Sequence, residues 1–173
     1  FNIAPVEEEG TWSVNDQTVT MKSSTPTIVK TVIDPTDTTV AITDSVCYQL
    51  TAQIPTYPED ASAITFAIGD KLSEGLTLKP DTIAVKEASG KEIAATNYDV
   101  KKDPGKTAKL TDYTFEIVFK EAYIKANPML NVQVTYDAEV NDKALTMDAL
   151  KNIAYIGYNH DPYDTQSYKE KTT

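Results

Sequence analysis

Residues 131–140 read Asn-Val-Gln-Val-Thr-Tyr-Asp-Ala-Glu-Val. Val132, Val134, Tyr136, Ala138 and Val140 fall on one phase, and polar side chains hold the other. Successive side chains of a strand point to opposite faces, so this stretch reads as a half-buried β-strand. The same reading extends outward in both directions. Pro26 starts a strand through Ile33, and Asp34-Pro35 turns the chain. Residues 40–55 carry two short strand segments, and 56–62 form a loop. The stretch Ile64–Leu72 is a strand ending in Ser-Glu-Gly-Leu, where Gly75 supplies turn freedom. Residues 81–93 read as a hairpin about Ser89-Gly90. Residues 98–119 give a strand, a Pro-Gly turn and another strand. Residues 120–130 hold one helical turn or a loop, and 141–151 a second helical turn. Asn152–Tyr158 is the last expected strand.

About nine short strands, with no long period of 3.6, indicate an all-β, immunoglobulin-like antiparallel β-sandwich. Three segments are expected: the tail of a preceding domain or an entry segment at 1–25, reading as a strand pair around Asn15-Asp16 or as one irregular strand; the sandwich at 26–160; and a polar linker to a following domain at 161–173. The 40% apolar content suffices for one core, and Val, Ile and Tyr within it favour strands. A net charge of −10 argues against nucleic acid or an anionic membrane as partner. One cysteine, Cys47, allows no internal disulfide and reads as a small buried hydrophobe. One histidine gives no metal cluster and no Ser/His/Asp site, so no cofactor is expected.

Three polar residues break the apolar phases. Lys30 lies between Ile28 and Val32, Asp70 between Ile68 and Leu72, and Asn152 between Leu150 and Ala154. A buried amine, carboxyl or carboxamide is costly alone. Together they are the reactants of one step: a lysine attacking an asparagine side chain, assisted by an acid. Burial lowers a lysine pKa and raises that of a carboxyl, which favours a neutral amine beside a protonated Asp70. The product is an intramolecular Lys–Asn isopeptide bond and one ammonia, formed once per chain, so the chain is not an enzyme in the sense of turnover. The expected geometry places Lys30 and Asn152 on adjacent strands, with Asp70 facing them from the other sheet.

The stretches PTIVKTVID, VCYQLTAQIP, FAIGDKLSEGLTL, VQVTYDAEVN and NIAYIGYNHDP, in that order from about Thr25 to Pro162, resemble the fimbrial isopeptide-formation domain. That domain builds backbone pilins of Gram-positive bacteria and collagen-adhesin-like (Cna-type) surface modules. Asp70-x-Leu-x-x-Gly-Leu and Asn152-x-Ala-x-x-x-Tyr carry the likeness in combination. The resemblance implies that Lys30 and Asn152 form the bond and that Asp70 is the catalytic acid. It implies a structural stalk module on an extracellular, cell-wall-anchored protein, partnered by other pilin subunits through sortase. In backbone pilins the segment before this domain carries a lysine that joins the next subunit. Lys22, after Trp12, is the candidate here, although the family's Tyr-Pro before that lysine is missing.

Two other functions are open to the sequence. A ligand-binding adhesin recognising a host protein or glycan requires an exposed cluster among the tyrosines. A hydrolase requires paired carboxylates such as Asp34 with Asp37 or Asp161 with Asp164, and those pairs read better as turn residues.

Overall fold

The computed structural model describes residues 25–33, 40–102 and 112–173, and the backbone of 6–8 and 11–13. Strands β1 (Val6–Glu8) and β2 (Thr11–Ser13) pair antiparallel. The strand pair expected around Asn15-Asp16 lies outside the described residues. The sandwich follows: β3 (Ile28–Ile33), β4 (Ser45–Gln53), β5 (Phe66–Leu72), β6 (Leu76–Glu87), β7 (Tyr98–Lys102), β8 (Phe115–Phe119), β9 (Asn131–Val140), β10 (Asn152–Asn159) and β11 (Tyr168–Thr172). One helical turn and a half, α1 (Glu121–Ala126), links β8 to β9, and a 3-10 turn at Asp142–Thr146 links β9 to β10.

Two antiparallel sheets form, of order β3-β4-β9-β6 and β11-β10-β5-β8-β7. Their facing sides hold the core. Leu50, Val134, Tyr136 and Ala138 come from one sheet; Phe66, Ile68, Phe115, Ile117 and Ile156 come from the other. All nine are fully buried. The alternation read in β9 is the alternation found, with every apolar residue buried and every polar one half-buried or exposed.

Four details depart from the sequence reading. Residues 45–53 are one continuous strand, not two segments, because β4 is a central strand paired along its length to β9. In β6 the register slips between Lys79 and Ala84. Pro80 has no amide proton to offer there. The Thr82 hydroxyl fills in, donating to the Lys79 carbonyl at 2.7 Å and accepting from the Asp137 amide at 2.8 Å. Gly75 is needed for space rather than turn freedom: a Cβ there would lie 2.6 Å from Leu150 Cδ2 and 3.0 Å from Ala144 Cα. Finally, the stretch read as a linker contributes β11, which pairs with β10 from Tyr155↔Thr172 to Asn159↔Tyr168.

On the outer face of the five-stranded sheet, the Tyr155 ring lies across Gly69 of the neighbouring strand. Its hydroxyl donates to Glu116 at 2.8 Å, and Tyr113 packs against it at 5.2 Å between centroids. A Cβ on Gly69 would stand 2.0 Å from Tyr155 Cε1. With the ring held at both ends, Gly69→Ala is expected to cost about 1–3 kcal/mol by overpacking. Thermal unfolding followed by circular dichroism checks this, with a lowered midpoint expected.

Candidate functional site

Lys30 occupies the inward phase of β3 with Ile28 and Val32, opposite Leu50 of β4. β3 is the edge of its sheet and lies across the interior from β10. Asp70 is on β5, the middle strand of five, flanked by Phe115 of β8 and Ala154 of β10. Asn152 opens β10 opposite Leu72, diagonal to Asp70 on the same face. Diagonal neighbours of an antiparallel pair stand about 7–8 Å apart, within reach of side-chain contact.

This distribution corrects the expected one. Asp70 and Asn152 share neighbouring strands of one sheet, and Lys30 comes from the other. The cause is that β10 is hydrogen-bonded on both sides, by β5 and by β11. β3 cannot pair with it and instead crosses it face to face.

The lysine and the acid meet: Lys30 Nζ lies 2.6 Å from Asp70 Oδ2. The Asp70 side chain is fully buried and that of Lys30 is 10% exposed. The amine also sits over two rings, 4.8 Å from the Tyr48 centroid and 5.8 Å from that of Tyr136. Tyr48 and Tyr136 are a cross-strand pair whose rings stack at 5.4 Å, and Phe115 meets Tyr136 edge-on at 4.8 Å. Asn152 is half-buried, and its Nδ2 donates to the Tyr136 hydroxyl at 2.9 Å. Asp70 Oδ1 and Asn152 Oδ1 are both buried without a hydrogen-bond partner.

Burial governs the protonation chemistry. Desolvation pushes Asp70 from 3.8 up to about 6, against the pull of Lys30. Desolvation likewise lowers Lys30, against the pull of Asp70. Each partner favours the other's charge, yet the apolar surroundings outweigh that attraction and move both groups towards neutrality. A buried ion pair is a poor device for stability, because apolar side chains of similar size often serve as well or better. A buried carboxyl raised as far as Asp70, held against a specific charge partner, is a candidate for a working site.

Other candidates fare differently. Lys22, Asp34 and Asp37 lie outside the described residues. Asp161 and Asp164 are turn residues, accepting from the Tyr163 and Gln166 amides at 2.9 and 2.8 Å. Of the ten tyrosines only Tyr163 is exposed, and its hydroxyl donates to Asp60, so no exposed tyrosine cluster forms. Cys47 is half-buried on the outer face beside Asp137, not a core hydrophobe, and burial pushes its thiol up to about 11. Sequence reasoning gave no role to Tyr48 and Tyr136. Their phase marks them as core, but nothing in the sequence tells which hydroxyl faces Asn152.

The family model for the Gram-positive pilin backbone subunit 2, Cna-B-like domain, matches residues 42–161, a span holding Asp70 and Asn152 but not Lys30. The trypsin-resistant surface T6 protein of Streptococcus pyogenes serotype M6 is 28% identical over 160 residues, covering 88% of this chain and 29% of that protein. The structure of the T6 backbone pilin superposes with a TM-score of 0.64 at 23% identity, covering 88% of this chain and 36% of that one. The major pilin SpaD of Corynebacterium diphtheriae gives 0.62 at 20% identity, over 86% and 33% of the two chains. The C. diphtheriae major pilin SpaA gives 0.56 at 22% identity, over 79% and 32%; its structure points to a modular pilus assembly with stabilising isopeptide bonds. The chain thus spans about a third of the length of these relatives. With its sandwich, its sequence match and these likenesses in agreement, the chain belongs to the Gram-positive pilin backbone family, and residues 42–161 are its Cna-B-like domain.

Proposed function

We propose that this chain is a structural module of a Gram-positive surface pilus shaft, locked by a self-formed isopeptide bond between Lys30 and Asn152 with Asp70 as the acid. The observation that carries the reading is the buried contact of Lys30 Nζ with Asp70 Oδ2 at 2.6 Å, one strand away from Asn152. Homology to backbone pilins supports the shaft role, and polymerisation with other subunits on the cell surface follows from that role. Sortase is the proposed agent of assembly, and Lys22 the proposed joining lysine. That nine of the ten tyrosines are buried or half-buried favours the shaft over a ligand-binding adhesin.

The step balances. The lone pair of the neutral Lys30 amine attacks Asn152 Cγ. The protonated Asp70 donates to the Asn152 carbonyl and stabilises the negative charge that develops on it. The orphaned Oδ1 atoms of Asp70 and Asn152 fit this arrangement, since a proton on one makes it a donor to the other. A proton from Nζ passes to Asp70, one from Asp70 passes to Nδ2, and the Cγ–Nδ2 bond breaks to release ammonia. Asp70 ends as it began. Because the fold holds the groups together, the attack is intramolecular, an advantage worth on the order of 7–11 kcal/mol when alignment is good.

The bond straps one sheet to the other and closes a loop of more than a hundred residues. The loop-entropy relation gives roughly 4–5 kcal/mol for such a closure. Under tension applied at the two ends, force passes from Lys30 straight to Asn152 and bypasses residues 31–151. The β10–β11 hairpin lies outside that shortcut and still carries load.

Intact-mass measurement tests the bond. The purified chain is expected to weigh one ammonia less than its sequence, and Asp70→Ala to restore the full mass. A full mass for the parent chain overturns the reading. Lys30→Ala is expected to unfold at a lower temperature and to be cut faster by trypsin in the native state.

Protonation of Asp70 is open to a separate check in the Asn152→Ala chain, which has no acceptor. Between the ordinary aspartate value and about 6, folded Asp70 keeps a proton that unfolded Asp70 has lost. Stability must therefore fall as pH rises through that interval. Against an Asn152→Ala/Asp70→Asn control, urea unfolding is expected to show a loss on the order of 2–3 kcal/mol between about pH 4 and 6. A difference that stays flat over that range contradicts a protonated Asp70.

A further inference from the structure

We propose that Tyr136 is a positioning residue for the cross-link: its hydroxyl fixes which way the Asn152 carboxamide faces, and so which atom is poised to leave. The inference rests on the cross-linking reading above. A carboxamide is nearly symmetric in shape, and its terminal torsion has two broad wells. Only one of the two orientations presents the carbonyl oxygen to the acid. The flip has to be set by what the nitrogen and the oxygen each meet.

Tyr136 is well suited to set it. The residue is fully buried on β9, a central strand of the sheet opposite Asn152. Its ring is clamped between the face of Tyr48 and the edge of Phe115. Burial and the nearby Asp70 push its pKa up, so it stays a neutral hydroxyl. A hydroxyl oxygen can accept a hydrogen bond, and this one accepts the Asn152 Nδ2–H at 2.9 Å. Turning the carboxamide over would give up that bond and bring the carbonyl oxygen to the tyrosine instead. With the nitrogen held at Tyr136, Oδ1 is left facing no donor, as is Asp70 Oδ1. One proton on the acid serves both. When Nδ2 departs as ammonia, its bond to Tyr136 leaves with it, and no new bond forms at the hydroxyl.

Tyr136→Phe keeps the ring and removes only the anchor. Chains made by cell-free translation and sampled over time by intact mass give the rate of ammonia loss. The parent is expected to react promptly and Tyr136→Phe about tenfold to a hundredfold more slowly, the scale of misplaced reactants. A merely structural role is tested in the unreactive Asn152→Ala background, where adding Tyr136→Phe is expected to leave the urea midpoint unchanged. If Tyr136→Phe keeps pace with the parent, or slows while also lowering that midpoint, the positioning role is overturned. If the parent never loses ammonia, the cross-linking reading falls and this inference with it.

Discussion

Placing the Lys30 amine against the Asp70 carboxyl between two apolar sheets is the constraint around which this domain is arranged. Asp70 is cut off from solvent: it sits on the middle strand of five, with Phe115 and Ala154 on either side. Lys30 reaches it only because β3 is an edge strand that crosses the face of β10. Tyr48 and Tyr136 cover the amine with their rings, excluding water while offering their electron-rich faces. The result is a pair whose desolvation outweighs its mutual attraction. As a contribution to folding this is poor value. As a way to hold a lysine ready to give up its proton it is effective, since the same burial moves amine and acid in opposite directions towards neutrality.

The two sheets divide the labour. The five-stranded sheet carries the acid and the carboxamide on neighbouring strands, where register fixes their spacing. The four-stranded sheet carries the lysine and the tyrosine that contacts the carboxamide. No reactive arrangement exists until the sheets pack, so the proposed bond forms as a consequence of completed folding and afterwards prevents the sheets from separating. The strands next to the site are tied by further contacts. The Thr114 amide donates to the Asp70 carbonyl, and the Thr114 hydroxyl accepts from the Leu72 amide, which pins β5 at the end where the site lies.

Much of this was legible in the sequence because period-two alternation is strong wherever one face is buried. β9 and β5 announce themselves, and the polar intruders Lys30 and Asp70 stand out for the same reason. Sheet membership is another matter. That β10 docks beside β5 rather than β3 depends on pairings between residues eighty or more apart, and no local pattern encodes them. β11 was missed because Tyr-Lys-Glu-Lys-Thr looks like a solvated tail. Its lysines lie on the edge of a sheet, where charge guards against unwanted pairing and alternation is lost. Gly75 was read for its backbone freedom, yet what demands it is the closeness of the Leu150 side chain and the Ala144 backbone, about seventy residues away. Tyr136 shows the limit most plainly. Its burial follows from its phase, but the use of its hydroxyl follows from what happens to face it.

The most direct test of the central claim is electron density at the site in a high-resolution crystal structure of the purified chain. The account predicts continuous density from Lys30 Nζ to Asn152 Cγ at covalent distance, with the Asp70 carboxyl alongside. Separate side chains, with an intact Asn152 carboxamide and a lysine bound only to Asp70, would contradict it.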